Sequence, residues 1–160
     1  MTALIDPLKQ YQANSVVFAS TAHGFHWNVE GPLFESFHEL FGEIYENVEG
    51  SIDTIAEWIR VFDVQAPYTL QDFMNNQGFG ETRISSNSPI MMTKTLLAMN
   101  DKMLTDIVNM FDMATQEKQQ GLAHFLADRQ AIHQKWGWFL KSILKPTIRS
   151  EEHTSELQSH

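Results

Sequence analysis

Cysteine is absent from the 160 residues. That absence removes disulfide frameworks, zinc ribbons, iron–sulfur clusters and thiol nucleophiles together, so any metal must be held by His, Asp or Glu. Proline and glycine are scarce, at 5 and 8, which excludes collagen-like and low-complexity chains. Positive charge is also short: 11 basic residues stand against 20 acidic ones, net −9. Such a balance disfavours nucleic acid as an electrostatic partner and attracts cations. No apolar run reaches the roughly 18 residues of a membrane span, and residues 1–7 lack the basic and apolar pattern of a secretory signal. What is present, 42% apolar residues in one domain's length of chain, suffices for a substantial core. These features predict a soluble, cytoplasmic, single-domain protein.

The segment Arg149–His160 resembles a sequencing adapter translated in frame. It holds one bulky aliphatic residue, Leu157, has no period, and follows Pro146, a natural place for a helix to end. We therefore set it apart from a domain spanning 1–148, and His153 and His160 carry no functional weight.

Within that domain the apolar spacing is helical throughout. A first helix is expected between Asp6 and Val29, broken by Gly31-Pro32. A second begins near Leu33 or Phe34, carries the stripe Phe34, Phe37, Phe41, Tyr45, Val48, Ile52, Ile55, Ile59, and ends before Pro67. Thr69 caps a short helix to Asn76, and residues 78–88 form a polar loop. Ser88-Pro89 opens a third long helix through Phe111, whose methionines, at helical spacing, read as core. A fourth runs from about Gln120 to Lys145. Four long helices and one short one predict an all-α, up-and-down bundle, with a middle connection long enough to cross it.

Four side chains could carry chemistry. Asp53 and Glu57, four residues apart, share a helix face at about 6 Å and could chelate one cation. His26 and His38 flank the Gly31-Pro32 break at five and six residues, so an antiparallel fold-back makes the imidazoles converge. His38 and Asp53 lie 15 residues apart on one helix, about 22 Å along its axis. Ligand bonds of about 2 Å cannot bridge that span within one chain. Two copies of the helix packed antiparallel about a twofold axis near residues 46–47 would set His38 of one opposite Asp53 and Glu57 of the other. Gly42 and Gly50, on or beside that face, would allow close approach. Sulfur-free N/O ligation suits ferrous iron, manganese or zinc.

The run His26-Trp27-Asn28-Val29-Glu30-Gly31-Pro32-Leu33-Phe34, followed by His38, Phe41, Tyr45 and Asp53-Thr54-Ile55-Ala56-Glu57, is similar to the signature of the Dps family, the miniferritins. The likeness extends more weakly through Ala66-Pro67-Tyr68-Thr69-Leu70 and, in the last helix, Lys135 and Trp138. It implies a ferritin-like four-helix bundle with a short extra helix, assembled from twofold dimers into a hollow dodecamer. It implies iron as the metal, bound at dimer interfaces by His26, His38, Asp53 and Glu57. The implied chemistry is oxidation of Fe²⁺, preferentially by hydrogen peroxide, and ferric storage that protects against oxidative damage. Trp27 resembles the family aromatic proposed to accept stray oxidising equivalents.

Departures from the family limit what is carried over. Where many members have an acidic cluster at the opening of the last helix, lining the iron-admitting pore, this chain has Gly121, Leu122 and His124. The lysine-rich N-terminal arm of DNA-compacting members is missing: before Gln10 there is only Lys9, against Asp6. DNA binding is therefore expected to be weak or absent. Two alternatives stand beside this reading. An in-chain di-iron bundle enzyme would use two Glu-x-x-His motifs, of which only Glu35–His38 occurs. A non-enzymatic, DNA-coating or interaction protein would use the same residues merely as interface.

Overall fold

The computed structural model describes the backbone of residues 1–158 and the side chains of residues 1–145. Helices account for all regular structure among them: α1 (Ile5–Asn28), α2 (Phe34–Val61), α3 (Leu70–Asn76), α4 (Pro89–Gln116) and α5 (Gln120–Gln158). None is long and apolar enough to cross a membrane among the described residues.

Local chemistry sets the boundaries. Gly31, at φ 128°, takes a backbone conformation closed to other residues and turns α1 into α2. The Thr69 hydroxyl caps α3 by accepting from the N–H of Asp72 at 3.1 Å. Ser88 caps α4 by accepting from Met91, with Pro89 at the position where its missing N–H costs nothing. The expected end of the last helix at Lys145 is overtaken, because α5 continues through Pro146 to Gln158. A proline inside a helix deletes one i→i−4 hydrogen bond, which flanking turns can absorb. The reading of residues 149–160 as foreign falls on side chains outside those described.

The helices pack as two antiparallel hairpins, α1 with α2 and α4 with α5, joined chiefly through α1 against α4. Residues 62–88 climb the length of α1. Pro67 O accepts from Gln12, Gly78 N donates to Asn14, Thr21 meets Thr82 at 2.7 Å, and Glu30 N donates to Asn87 O. So α4 starts at the end where α2 starts, and the two run parallel. The up-and-down default is corrected to a bundle with one long crossover, which the connection's length permitted and its side-chain ties to α1 impose.

Leu8 and Phe18 of α1, Phe41, Ile44 and Ile55 of α2, Leu96 and Ile107 of α4, and Leu126 and Leu140 of α5 are fully buried. Each contributes about 1.5–3 kcal/mol by leaving water. Met92, Met99, Met103 and Met110 lie in the same core. Through its middle runs a polar layer. Nδ1 of His133 donates to Asn100 Oδ1 at 2.8 Å, Nε2 faces Arg129 Nη2 at 3.3 Å, and Arg129 Nη1 donates to Asn47 at 2.9 Å. Burial, then the neighbouring guanidinium, pushes His133 down to about 3, so it is neutral and accepts from Arg129.

Candidate metal centre

The fold-back at Gly31-Pro32 brings His26 and His38 into contact, with ring centroids 3.8 Å apart and planes at 14°. Each imidazole bonds the other's main chain: His26 Nδ1 lies 2.5 Å from His38 O, and His38 Nδ1 lies 2.7 Å from His26 O. A carbonyl can only accept, so both Nδ1 atoms carry hydrogen. In the neutral rings the lone pairs are then on Nε2, the arrangement a metal-binding histidine needs. Phe34 stacks against His38 at 5.0 Å and walls that side.

Gly42 has a role that differs from the one expected of it. A Cβ there would stand 2.8 Å from His26 Nδ1 and 2.9 Å from Cε1, so the glycine makes room for an imidazole of its own chain. Gly50 has nothing within 4 Å of a built Cβ and lies open on the helix.

Asp53 and Glu57 sit side by side at the far end of α2, both exposed. Glu57 is held above the usual carboxylate range, chiefly by a hydrogen bond with Asp53 and then by its negative charge. Two carboxyls so placed repel each other, and a cation between them would relieve that repulsion. The pairs do not meet within the chain: both His38 and Asp53 belong to the continuous α2. Among the described residues no three His, Asp or Glu side chains converge.

The bundle interior offers no second place for such a centre. Its buried polar side chains are Gln12, Asn14, Ser15, Ser51, Thr93, Asn100, Arg129 and His133, with no carboxylate among the described residues. A guanidinium at mid-bundle repels cations, so the in-chain di-iron alternative has neither ligands nor a favourable field.

Trp27 is 63% exposed, and its ring leans on His23 at 4.0 Å. His23, which the sequence reading passed over, lies flat on Tyr45. The signal was available, since His23, His26 and Trp27 stand three and four apart and so crowd one face of α1.

A family model described as a ferritin-like domain matches residues 5–149. Over 142 residues, 86% of this chain and 92% of the relative, the chain is 30% identical to the "DNA protection during starvation protein" of Brevibacillus brevis. It is 28% identical to an uncharacterized low temperature-induced protein of Nostoc over 89% of this chain and 80% of that one. The crystal structure of Dps from Thermosynechococcus elongatus superposes with a TM-score of 0.84 at 28% identity, covering 88% of this chain and 89% of that one. With the crossover bundle, the whole-domain match and this relative, the chain belongs to the Dps family of ferritin-like proteins.

Proposed function

We propose that the protein is a miniferritin: it oxidises ferrous iron at sites shared between two chains and stores the ferric product inside a hollow oligomer. One observation carries this reading. Two half-sites, a pair of imidazoles with available Nε2 atoms (His26 of α1 against His38 of α2) and a pair of neighbouring carboxyls, lie at opposite ends of α2 about 22 Å apart, and neither has enough ligands alone. A second copy related by a twofold axis near residues 46–47 would complete each, with His26 and His38 from one chain and Asp53 and Glu57 from its mate.

In that arrangement two ferrous ions give one electron each to hydrogen peroxide, which takes up two protons and leaves as two waters. Holding both ions at one place lets the two electrons pass together, so no hydroxyl radical escapes. Trp27, next to His26 in the chain, would absorb an equivalent that strays. The net charge of −9 leaves DNA a minor ligand at physiological salt.

Complementation tests the shared site. His26→Ala/His38→Ala chains and Asp53→Ala/Glu57→Ala chains should each assemble yet lose most rapid peroxide-dependent oxidation. Co-refolded at equal ratio, half the dimers are mixed and each holds one complete site, so about a quarter of the wild-type initial rate should return. Mass spectrometry confirming mixed assembly, with no recovery of rate, would show that each chain builds its own site.

A further inference from the structure

The crossover that climbs α1 leaves a groove of about 560 Å³ between residues 78–84 and one face of α4. Its charge is opposite to that of the molecule. Three of the chain's 11 basic residues line it, Arg83, Lys94 and Lys102, against one carboxylate, Glu81, although the net charge is −9. Among the described residues no carboxylate lies within ion-pair distance of Arg83 or Lys94, whereas Lys102 has Asp106 at 3.5 Å.

The floor between these cations is apolar. Phe79 and Ile84 are half-buried, Met99 is buried, and Ala98 is open to solvent. Lys94, Ala98 and Lys102 follow one another at four-residue steps on α4, so they share a face, with the two lysines about 12 Å apart along the axis. Gly78 makes room for the stem of Lys102, since a Cβ there would stand 3.2 Å from its Cε. With residue 78 beside Lys102 and the crossover entering α4 at Ser88, residues 78–88 run back along the helix and carry Arg83 toward its Lys94 end.

The crossover wall is fixed before any ligand arrives. Gln77 Oε1 accepts from the N–H groups of Phe79 at 2.7 Å and Gly80 at 2.9 Å. Gly78 donates to Asn14 at 2.7 Å, and the Thr82 hydroxyl meets that of Thr21 at 2.7 Å. A preformed wall spares a ligand the entropy of ordering it.

Cations alone would suit any anion, and an apolar floor alone any oily molecule. Together in one groove they select an anion with an apolar body. Glu81 opposes a doubly charged phosphate head more than a singly charged one. We propose that this groove binds a fatty carboxylate, its head between Arg83 and Lys94 and its chain laid over Ala98 and Met99 toward Phe79. Nucleic acid is the poorer match, because a phosphate backbone has no use for the apolar floor. The proposal does not depend on the iron-oxidation reading.

Calorimetric titration of the assembled, metal-free protein with dodecanoate, below its micelle concentration, tests the assignment. Wild type should take up one dodecanoate per chain, saturably. Arg83→Gln/Lys94→Gln should weaken uptake about tenfold or more, the scale expected when charge-assisted hydrogen bonds are lost. Ala98→Glu, at an exposed helical position, should abolish uptake by setting a carboxylate on the floor while the melting temperature stays unchanged. Acetate and inorganic phosphate, which lack the body, should fail to displace dodecanoate, and dodecanol, which lacks the head, should bind at least tenfold more weakly. No saturable uptake, uptake unchanged in both variants, or acetate or dodecanol matching dodecanoate would each overturn the proposal. So would tighter binding of dodecyl phosphate, or displacement by a short DNA duplex at about 150 mM salt, where phosphate contacts are already weakened.

Discussion

At position 42 a methyl group would press within 2.8 Å of His26 Nδ1, the atom that bonds the main chain of His38. Replacing glycine by alanine inside a helix gains about 1 kcal/mol of intrinsic propensity. Gly42→Ala should therefore leave the melting temperature unchanged or slightly raised while it displaces the imidazole. Peroxide-dependent iron oxidation should fall by about tenfold or more, since misplacing a positioned group by an ångström is costly; calorimetry and stopped-flow oxidation on the same preparation check both halves. His133 sets a different dependence. Its folded value is about 3 against 6.5 for the free side chain, so between those limits the unfolded chain binds one more proton. Stability is complete above pH 6.5 and is lost as pH falls toward 3, by about 2 kcal/mol at pH 5. Urea titrations at the two pH values should show this loss, and His133→Gln should reduce it. Neither residue was legible beforehand. Gly42 reads equally well as a site of helix approach, and an Arg and a His one turn apart on an amphipathic helix read as surface until Asn47 and Asn100 are seen to meet them.

Helix α2 presents Glu35, Glu39, Glu43, Glu46, Glu49, Asp53 and Glu57 to solvent, with Arg60 the one exposed cation on it. Pairing two such faces antiparallel sets like charges together, and at about 10 mM salt they act over roughly 30 Å. Without divalent ions the twofold contact should weaken at low ionic strength and tighten as sodium chloride rises to about 0.3 M, followed by light scattering. A rise in dissociation with added salt would contradict the pairing. Much of this helix was readable from its stripe alone, because a 3–4 repeat held from Phe37 to Ile59 fits no other geometry, and the caps at Thr69 and Ser88 announce themselves by residue type. The route of residues 62–88 was not. Its length permits a crossover or a return, and the ties that choose, such as Gly78 to Asn14, join residues 64 apart in the chain.

At the scale of the whole molecule, the proposed shared centre calls for closed association. The protein should sediment and scatter light as an assembly of about twelve chains built on twofold contacts. A folded monomer under native conditions would remove the basis of the shared centre. The bundle architecture was accessible because the core is patterned along each helix. The partner surface is written only as charge and a few exposed rings, which many arrangements satisfy.

The hairpin of α1 and α2 has one more consequence, for the order in which the protein becomes competent. His26 and His38 are twelve residues apart, and the bonds between them need only the turn at Gly31. Contacts so near in sequence cost little loop entropy and form early. The crossover must bring residues 55 to 64 positions apart together. A nascent chain thus owns its imidazole pair before its second hairpin docks, so assembly would inherit the histidine half of the proposed centre and add only the carboxylate half.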